Sequence, residues 1–246
     1  MRCSVSVWTY VTSLAARCCL MLAVILACPA PAVAESASQP DETSEAERWK
    51  QLGQLLDQSP KPESVRAVFT QKRTSLLLDE PVVSRGRFVA KGEAARLSLT
   101  TPSPVEMHFN ATQMHIYYPD DNVLEVYRIP PNGMAMTTGR PDPEALARDF
   151  RLADLSTDPR SGRVTLALEP RESVREHMQS LTLGFDPMLG LIVSASSTDA
   201  AGDRTDMEFS QVRINQTVAD TEIALDVPDD ARVEYPEGNS EQDNRR

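Results

Sequence analysis

The sequence predicts a mainly β protein: one antiparallel sheet of about ten strands that curls over its own apolar face, with an N-terminal helix and a short mid-chain helix laid across that face. Three observations predict it. Strand-length runs of alternating apolar and polar residues recur between Val65 and Ile214. Gly, Pro, Asn and Asp clusters punctuate them at intervals of about eight to twelve residues, the spacing of a meander. Only two stretches carry helical periodicity, and each has an apolar stripe that the sheet alone can bury.

Residues 1–34 stand apart. They carry Arg2 and Arg17, no acidic residue and an apolar run from Leu20 to Leu26, which reads as a secretory signal peptide. The run falls short of the roughly 20 apolar residues a bilayer span needs. Ala32-Val33-Ala34 before Glu35 supplies a small-x-small cleavage site. Cys3, Cys18, Cys19 and Cys28, all four cysteines, fall in this segment, so disulfides and thiolate zinc are excluded from the 212 residues that follow. Ile25-Leu26-Ala27-Cys28 also has the outline of a lipobox. Cleavage after Ala34 predicts a soluble exported protein, and acylation of Cys28 a lipid-anchored one.

Residues 35–43 are polar and read as a disordered leader. Ser44 then caps a helix over 44–58, in which Trp49, Leu52, Leu55 and Leu56 share one face, and Pro60 and Pro62 end it. From Val65 the period changes to two. Strands are predicted over 65–78, 82–89, 94–100, 105–109, 113–118 and 123–129, separated by Pro81, Gly92, Pro102, Pro104, Asn110 and Pro119-Asp120-Asp121-Asn122. Pro130 to Met136 is an irregular apolar loop, and Asp142 caps a short helix from Pro143 to Phe150. Strands resume over 164–169, 180–185, 191–198 and 205–214, and residues 237–246 form a polar, disordered tail. One domain over 44–236 follows.

Charge narrows the function. Beyond residue 34 there are 23 basic against 36 acidic side chains, a balance of −13 that repels phosphate backbones, so no nucleic-acid partner is expected. Lys72, Arg73, Arg85, Arg87, Lys91 and Arg96 concentrate within 25 residues, as a basic rim or as a solvated strand face of alternating charge. His108, His115 and His177 are the only histidines and lack the spacing of a metal cluster. Gly-x-Ser-x-Gly and glycine-rich phosphate loops are absent. The expectation is a protein with no catalytic residue, no metal and no cofactor. The informative residues are apolar: Met107 and Met114 beside the turn at Asn110, and Met134 and Met136 in the loop before the second helix, since methionine adapts to varied apolar partners. Leu52 and Leu56 on the first helix, with Leu146 and Phe150 on the second, are expected to face the same cavity.

Phe69-Thr70-Gln71-Lys72, Ser84-Arg85-Gly86-Arg87-Phe88, Arg96-Leu97 and Pro102 follow one another in an order that resembles the opening strands of LolA-type periplasmic lipoprotein carriers. Later stretches extend the resemblance: Ile116-Tyr117-Tyr118-Pro119, Phe185 to Leu191, Asp203-Arg204-Thr205, Phe209 to Asn215 and Val227-Pro228. It implies an unclosed β-barrel with the helices as a lid over a hydrophobic cavity for acyl chains. Ala95, Leu97 and Leu99 match the family's cavity-lining aromatic positions, and Phe69, Phe88 and Ile116 of the quoted motifs join the wall. Lys91-Gly92 stands where the family has a basic residue followed by Pro that holds the lid closed. Lysine keeps the charge without arginine's planar fork.

The function that resemblance implies is a monomeric shuttle. It takes acylated lipoprotein or lipid cargo from an inner-membrane release complex to an outer-membrane acceptor. The alternatives are a lipid-anchored acceptor or glycolipid-exporter accessory with the same fold, and an envelope-stress sensor or other protein-binding module.

Overall fold

The computed structural model describes residues 42–75, 77–110, 112–128 and 139–236. The expected signal peptide with Cys28, nearly all of the leader, Met134, Met136 and the 237–246 tail lie outside the described residues.

Twelve strands form one sheet among the described residues: β1 (Ser64–Thr74), β2 (Val82–Lys91), β3 (Ala94–Thr101), β4 (Val105–Phe109), β5 (Gln113–Tyr118), β6 (Val123–Arg128), β7 (Phe150–Thr157), β8 (Val164–Pro170), β9 (Met178–Asp186), β10 (Leu191–Asp199), β11 (Arg204–Ile214) and β12 (Arg232–Glu234). Their spatial order is β12-β6-β5-β4-β3-β2-β1-β11-β10-β9-β8-β7, so the two ends do not meet and the curled sheet stays open. The fold class is as expected from the sequence. Two strands more than the predicted ten are present, each for a local reason. In β7 a bulge between Leu152 and Asp154 breaks the two-residue period after Phe150 and Leu152. β12 has three residues and pairs in parallel with β6, too short to carry any period.

Four helices among the described residues accompany the sheet: α1 (Glu42–Gln58), α2 (Pro143–Asp149), α3 (Glu172–Arg175) and α4 (Asp220–Ile223). α1 begins at Glu42 rather than at Ser44, within the stretch assigned to the leader. α2 starts as predicted, with the Asp142 carboxylate accepting from the amides of Glu144 and Ala145. It ends one residue early: Phe150 is extended and opens β7.

Alternation gives the sheet an apolar and a polar face, and the apolar face is divided. One core cluster lies on β1 to β6, centred on Phe69, Met107, Met114 and Ile116. The other lies on β7 to β10 with α1 and α2, and includes Leu52, Leu56, Leu146, Phe150, Leu166, Leu183 and Phe185. Across the polar face runs the segment after β11. Arg66 of β1 donates to the Thr217 carbonyl and the Glu222 carboxylate, and Arg96 of β3 to the Ala224 carbonyl, while Val218 and Ile223 are buried beneath the strap. The strap ends as β12 on the far edge of the sheet.

Candidate functional site

Strand register assembles an apolar wall from residues far apart in sequence. Ala67 pairs with Phe88, Phe88 with Leu97, Leu97 with Met107 and Met107 with Ile116, so one row crosses β1 to β5 on a single face. Ala95 pairs with Phe109, and Phe109 with Met114, in the next row. The structure thus brings Phe69, Phe88, Ala95, Leu99, Met107, Met114 and Ile116 into one buried cluster, with Leu97 packed against it and only partly buried. β11 completes the wall through Met207, Phe209, Val212 and Ile214. The Phe209 ring stands edge-on to Phe88 at 5.6 Å and tilted to Phe69 at 6.1 Å. The 61–75 and 204–214 segments meet only through the β1–β11 pairing, a long-range contact that local alternation does not announce.

Gly86 explains how Phe69 reaches the wall. It pairs directly with Phe69, and the ring lies over it: a Cβ there would come within 2.7 Å of the ring edge.

The four helix-side residues fall elsewhere. Leu52, Leu56, Leu146 and Phe150 pack with β7 to β10, not with the β1–β5 wall. Trp49 and Leu55 pack partly buried against the same cluster. Burial of Leu52 and Leu56 contributes about 2–3 kcal/mol each, which ties α1 to that half of the sheet. Arg48 also donates from Nε to the Leu152 carbonyl at 2.8 Å, satisfying an acceptor at the β7 bulge.

A junction joins the end of α1 to the rest of the fold. The Arg140 guanidinium, in the segment leading into α2, donates to the Leu56 carbonyl at 2.5 Å and to the Pro60 carbonyl at 2.7 Å. Leu56 lies in the last turn of α1, where its carbonyl also accepts from the Ser59 amide at 3.0 Å and a cation is favoured. The Ile192 amide donates to the Gly139 carbonyl at 2.7 Å, and Gly190, with φ +69°, presses so close to the Pro60 carbonyl that a side chain would overlap it. The α1 terminus, the approach to α2 and the β9–β10 turn therefore interlock at Arg140.

Lys91 does not take part in that junction. Its ammonium donates to Asp220 of α4 at 2.8 Å, on the strap across the polar face, and both side chains are well exposed. The fork-shaped donor at the end of α1 is Arg140, which bonds the Leu56 carbonyl and the Pro60 carbonyl that follows the helix. Its sequence signal was a basic residue followed by proline, Arg140-Pro141, in a different segment from the one the family pattern pointed to.

The histidines of β4 and β5 sit on the polar face. His108 and His115 pair directly across these strands with ring centroids 5.9 Å apart. Burial pushes both imidazoles below their ordinary value, and His108 is pushed further by His115 and Arg96. No group of three or more His, Cys, Asp or Glu side chains among the described residues is arranged to hold a metal ion. A depression of about 500 Å³ lies over β1, β11, β10 and β9. Thr70, Lys72, Thr182, Ser194, Ser196, Asp206 and Glu208 line it; strand pairing puts them on the face opposite Phe69 and Phe209. Of the basic run, Lys72, Arg85, Arg87 and Arg96 belong to this polar face, and Arg73 pairs with Asp203 at 2.7 Å with both side chains largely buried.

No helix among the described residues is long and apolar enough to cross a membrane. No curated protein matches the sequence. Among solved structures the chain is similar to an uncharacterized conserved protein from Thermus thermophilus (13% identity, 75% of this chain and 99% of that one, TM-score 0.48). It is also similar to MucB (17% identity, 74% and 63%, TM-score 0.44) and to a LolA superfamily protein from Nitrosomonas europaea (13% identity, 70% and 97%, TM-score 0.41). The model of the outer membrane lipoprotein carrier protein LolA matches residues 61–224, from just after α1 to the end of α4 in the strap. The chain therefore belongs to the outer membrane lipoprotein carrier protein LolA family.

Proposed function

We propose that this chain is an exported periplasmic carrier that shields the acyl chains of a lipoprotein against the apolar wall of β1 to β6 and β11. On this reading it receives its cargo from an inner-membrane release complex and delivers it to an outer-membrane acceptor. The observation that carries the reading is the division of the apolar face: α1 and α2 are committed to β7–β10, while the wall around Phe69, Phe88 and Met107 is a separate apolar surface rimmed by part-buried Leu97, Phe109, Met207 and Phe209. Transfer of aliphatic carbon to such a wall is favourable by about 0.8 kcal/mol per methylene, so one 16-carbon chain contributes on the order of 10 kcal/mol before costs. Family membership supports the same class of ligand.

Native mass spectrometry of the protein purified from its own envelope fraction tests this. A mass increment matching an acylated peptide or protein is expected, together with saturable binding of a neutral fluorescent acyl probe. A bare mass and no probe binding would refute it. The same spectrum reads the mature N-terminus, and an acylated Cys28 there would assign the lipid-anchored acceptor instead.

A further inference from the structure

One carboxylate stands on the apolar wall. Glu125 pairs across β5–β6 with Ile116, which is 1% exposed, and its neighbours on the same face of β6 are the buried Val123 and Tyr127. Its oxygens are used unevenly. Oε2 accepts from the Tyr127 hydroxyl at 2.8 Å and from the Tyr118 hydroxyl at 3.2 Å. Oε1 accepts no hydrogen bond from any described residue, and no Lys, Arg or His among them forms an ion pair with Glu125. Across the parallel β6–β12 pairing lies Glu234, a second carboxylate at the same end of the wall, whose partner is Arg232.

Two phenols fix the orientation of a carboxylate without neutralising it. Glu125 is part-buried, and its Oε1 is not among the buried atoms left without a partner, so the open oxygen is accessible at the edge of the wall, where a positive group with N–H donors meets it with little desolvation of the carboxylate. The complementary group is therefore positive and compact, carries N–H donors and is joined to an aliphatic chain that follows the wall toward Ile116 and Met107. We infer that Glu125, oriented by Tyr118 and Tyr127, binds the primary ammonium of an acylated amphiphile. This rests on the acyl-binding reading of the wall. Such an ammonium is carried by an aminophospholipid head group or by the free α-amino group of a diacylated N-terminal cysteine.

The test is displacement of N-phenyl-1-naphthylamine, an uncharged probe, from the full-length protein by dodecylamine, dodecanol and dodecanoate at about pH 7.5. Wild type is expected to bind the amine about 10-fold or more tighter than the carboxylate, the size of one charge-assisted hydrogen bond. Glu125→Gln keeps an oxygen for both phenols and should bring the two ligands, each measured against the variant's own probe affinity, within about 2-fold. Tyr127→Phe keeps the charge and should retain the preference for the amine. Equal binding of amine and carboxylate by wild type, or an unaltered preference in Glu125→Gln, overturns the inference and leaves Glu125 as an acceptor for two phenols. Failure of the probe to bind wild type overturns the acyl-binding reading, and the inference with it. Lysophosphatidylethanolamine against lysophosphatidylcholine, and a dipalmitoylated cysteinyl peptide against its N-acylated form, then separate the two sources. A Glu125-dependent gain in the first pair assigns the phospholipid, in the second the protein N-terminus, and a gain in neither overturns the inference.

Discussion

Removing the Arg140 guanidinium isolates the junction from everything else that holds α1. In Arg140→Gln the Leu56 and Pro60 carbonyls lose donors now at 2.5 and 2.7 Å. A hydrogen bond from a charged donor contributes about 1.5–3 kcal/mol; the Pro60 contact is exposed and worth less, so the pair together is worth about 2–3 kcal/mol. The apolar contacts of Leu52 and Leu56 remain. Local opening of the last turn of α1 should therefore become roughly 30- to 150-fold more frequent. Amide hydrogen exchange reads this at Leu55 to Ser59, with amides of β1 and β11 as internal controls that should not change. Arg140→Lys, which retains a point charge but not the fork, should fall between. Lys91→Leu, whose ion pair with Asp220 is exposed and involves no residue of α1, should leave the α1 amides as in wild type. Exchange of the α1 terminus in Arg140→Gln within about 3-fold of wild type, or an equal acceleration across β1 and β11, would refute the reasoning.

Three further outcomes follow from the wall and the polar face. Leu97→Glu places a carboxylate between Phe88 and Met107 at a part-buried position, so the fold should persist while affinity for a neutral acyl probe falls about 10-fold or more; undiminished binding would remove Leu97 from the site. Gly86→Ala drives a methyl into the Ser98 carbonyl oxygen and the Phe69 ring and should cost about 1–3 kcal/mol or more by urea denaturation, with a loss below about 0.5 kcal/mol contradicting the packing. His108 and His115 have folded pKa values below the ordinary 6.5, so the unfolded chain binds protons that the folded one resists. Their stabilisation is complete above about pH 7 and is lost as pH falls through the depressed folded values. Asp206, Asp220 and Glu222, held below their ordinary 3.8 and 4.5, lose theirs only in more acid solution. The urea midpoint should thus drop between about pH 7.5 and 5.5 in wild type and drop less in a His108→Gln/His115→Gln variant; equal drops would exclude the pair as the cause.

Most of the strands were legible because β1 to β6 and β8 to β11 alternate over most of their length between turn residues, even where a register shift interrupts them, as in β1, β2 and β10. β7 was hidden by its bulge, and Phe150 was assigned to the preceding helix because a terminal apolar residue fits either pattern. The same limit split the site. The family resemblance singled out Phe69, Phe88, Leu97 and Ile116, and methionine's adaptability Met107, and pairing places them in one row or beside it. Helical periodicity showed that Leu52 and Leu56 need burial but not which half of a curled sheet supplies it. Nor does any local pattern show that a guanidinium at position 140 will meet a carbonyl at position 56, or that Glu125 shares a face with Ile116 under two phenols. Both are products of register and chain crossing.

The magnitudes at the two halves of the apolar face are unequal, and under the proposed function that inequality bears on how cargo is held and released. The Arg140 junction is worth about 2–3 kcal/mol, whereas one 16-carbon chain on the β1–β6 wall contributes on the order of 10 kcal/mol before costs. Breaking the junction alone cannot expel an acyl chain. It changes how often the end of α1 opens, and under the proposed acyl-binding reading that opening sets the rate of access while the wall sets the affinity. Variants at Arg140 should accordingly alter the rates of loading and unloading together, with little change in equilibrium affinity. Variants at Leu97 or Phe209 should alter the affinity. A carrier whose Arg140→Gln form lost affinity at unchanged exchange of α1 would reverse that assignment, because it would place the arginine in the wall's own energetics and not in the motion of the helix.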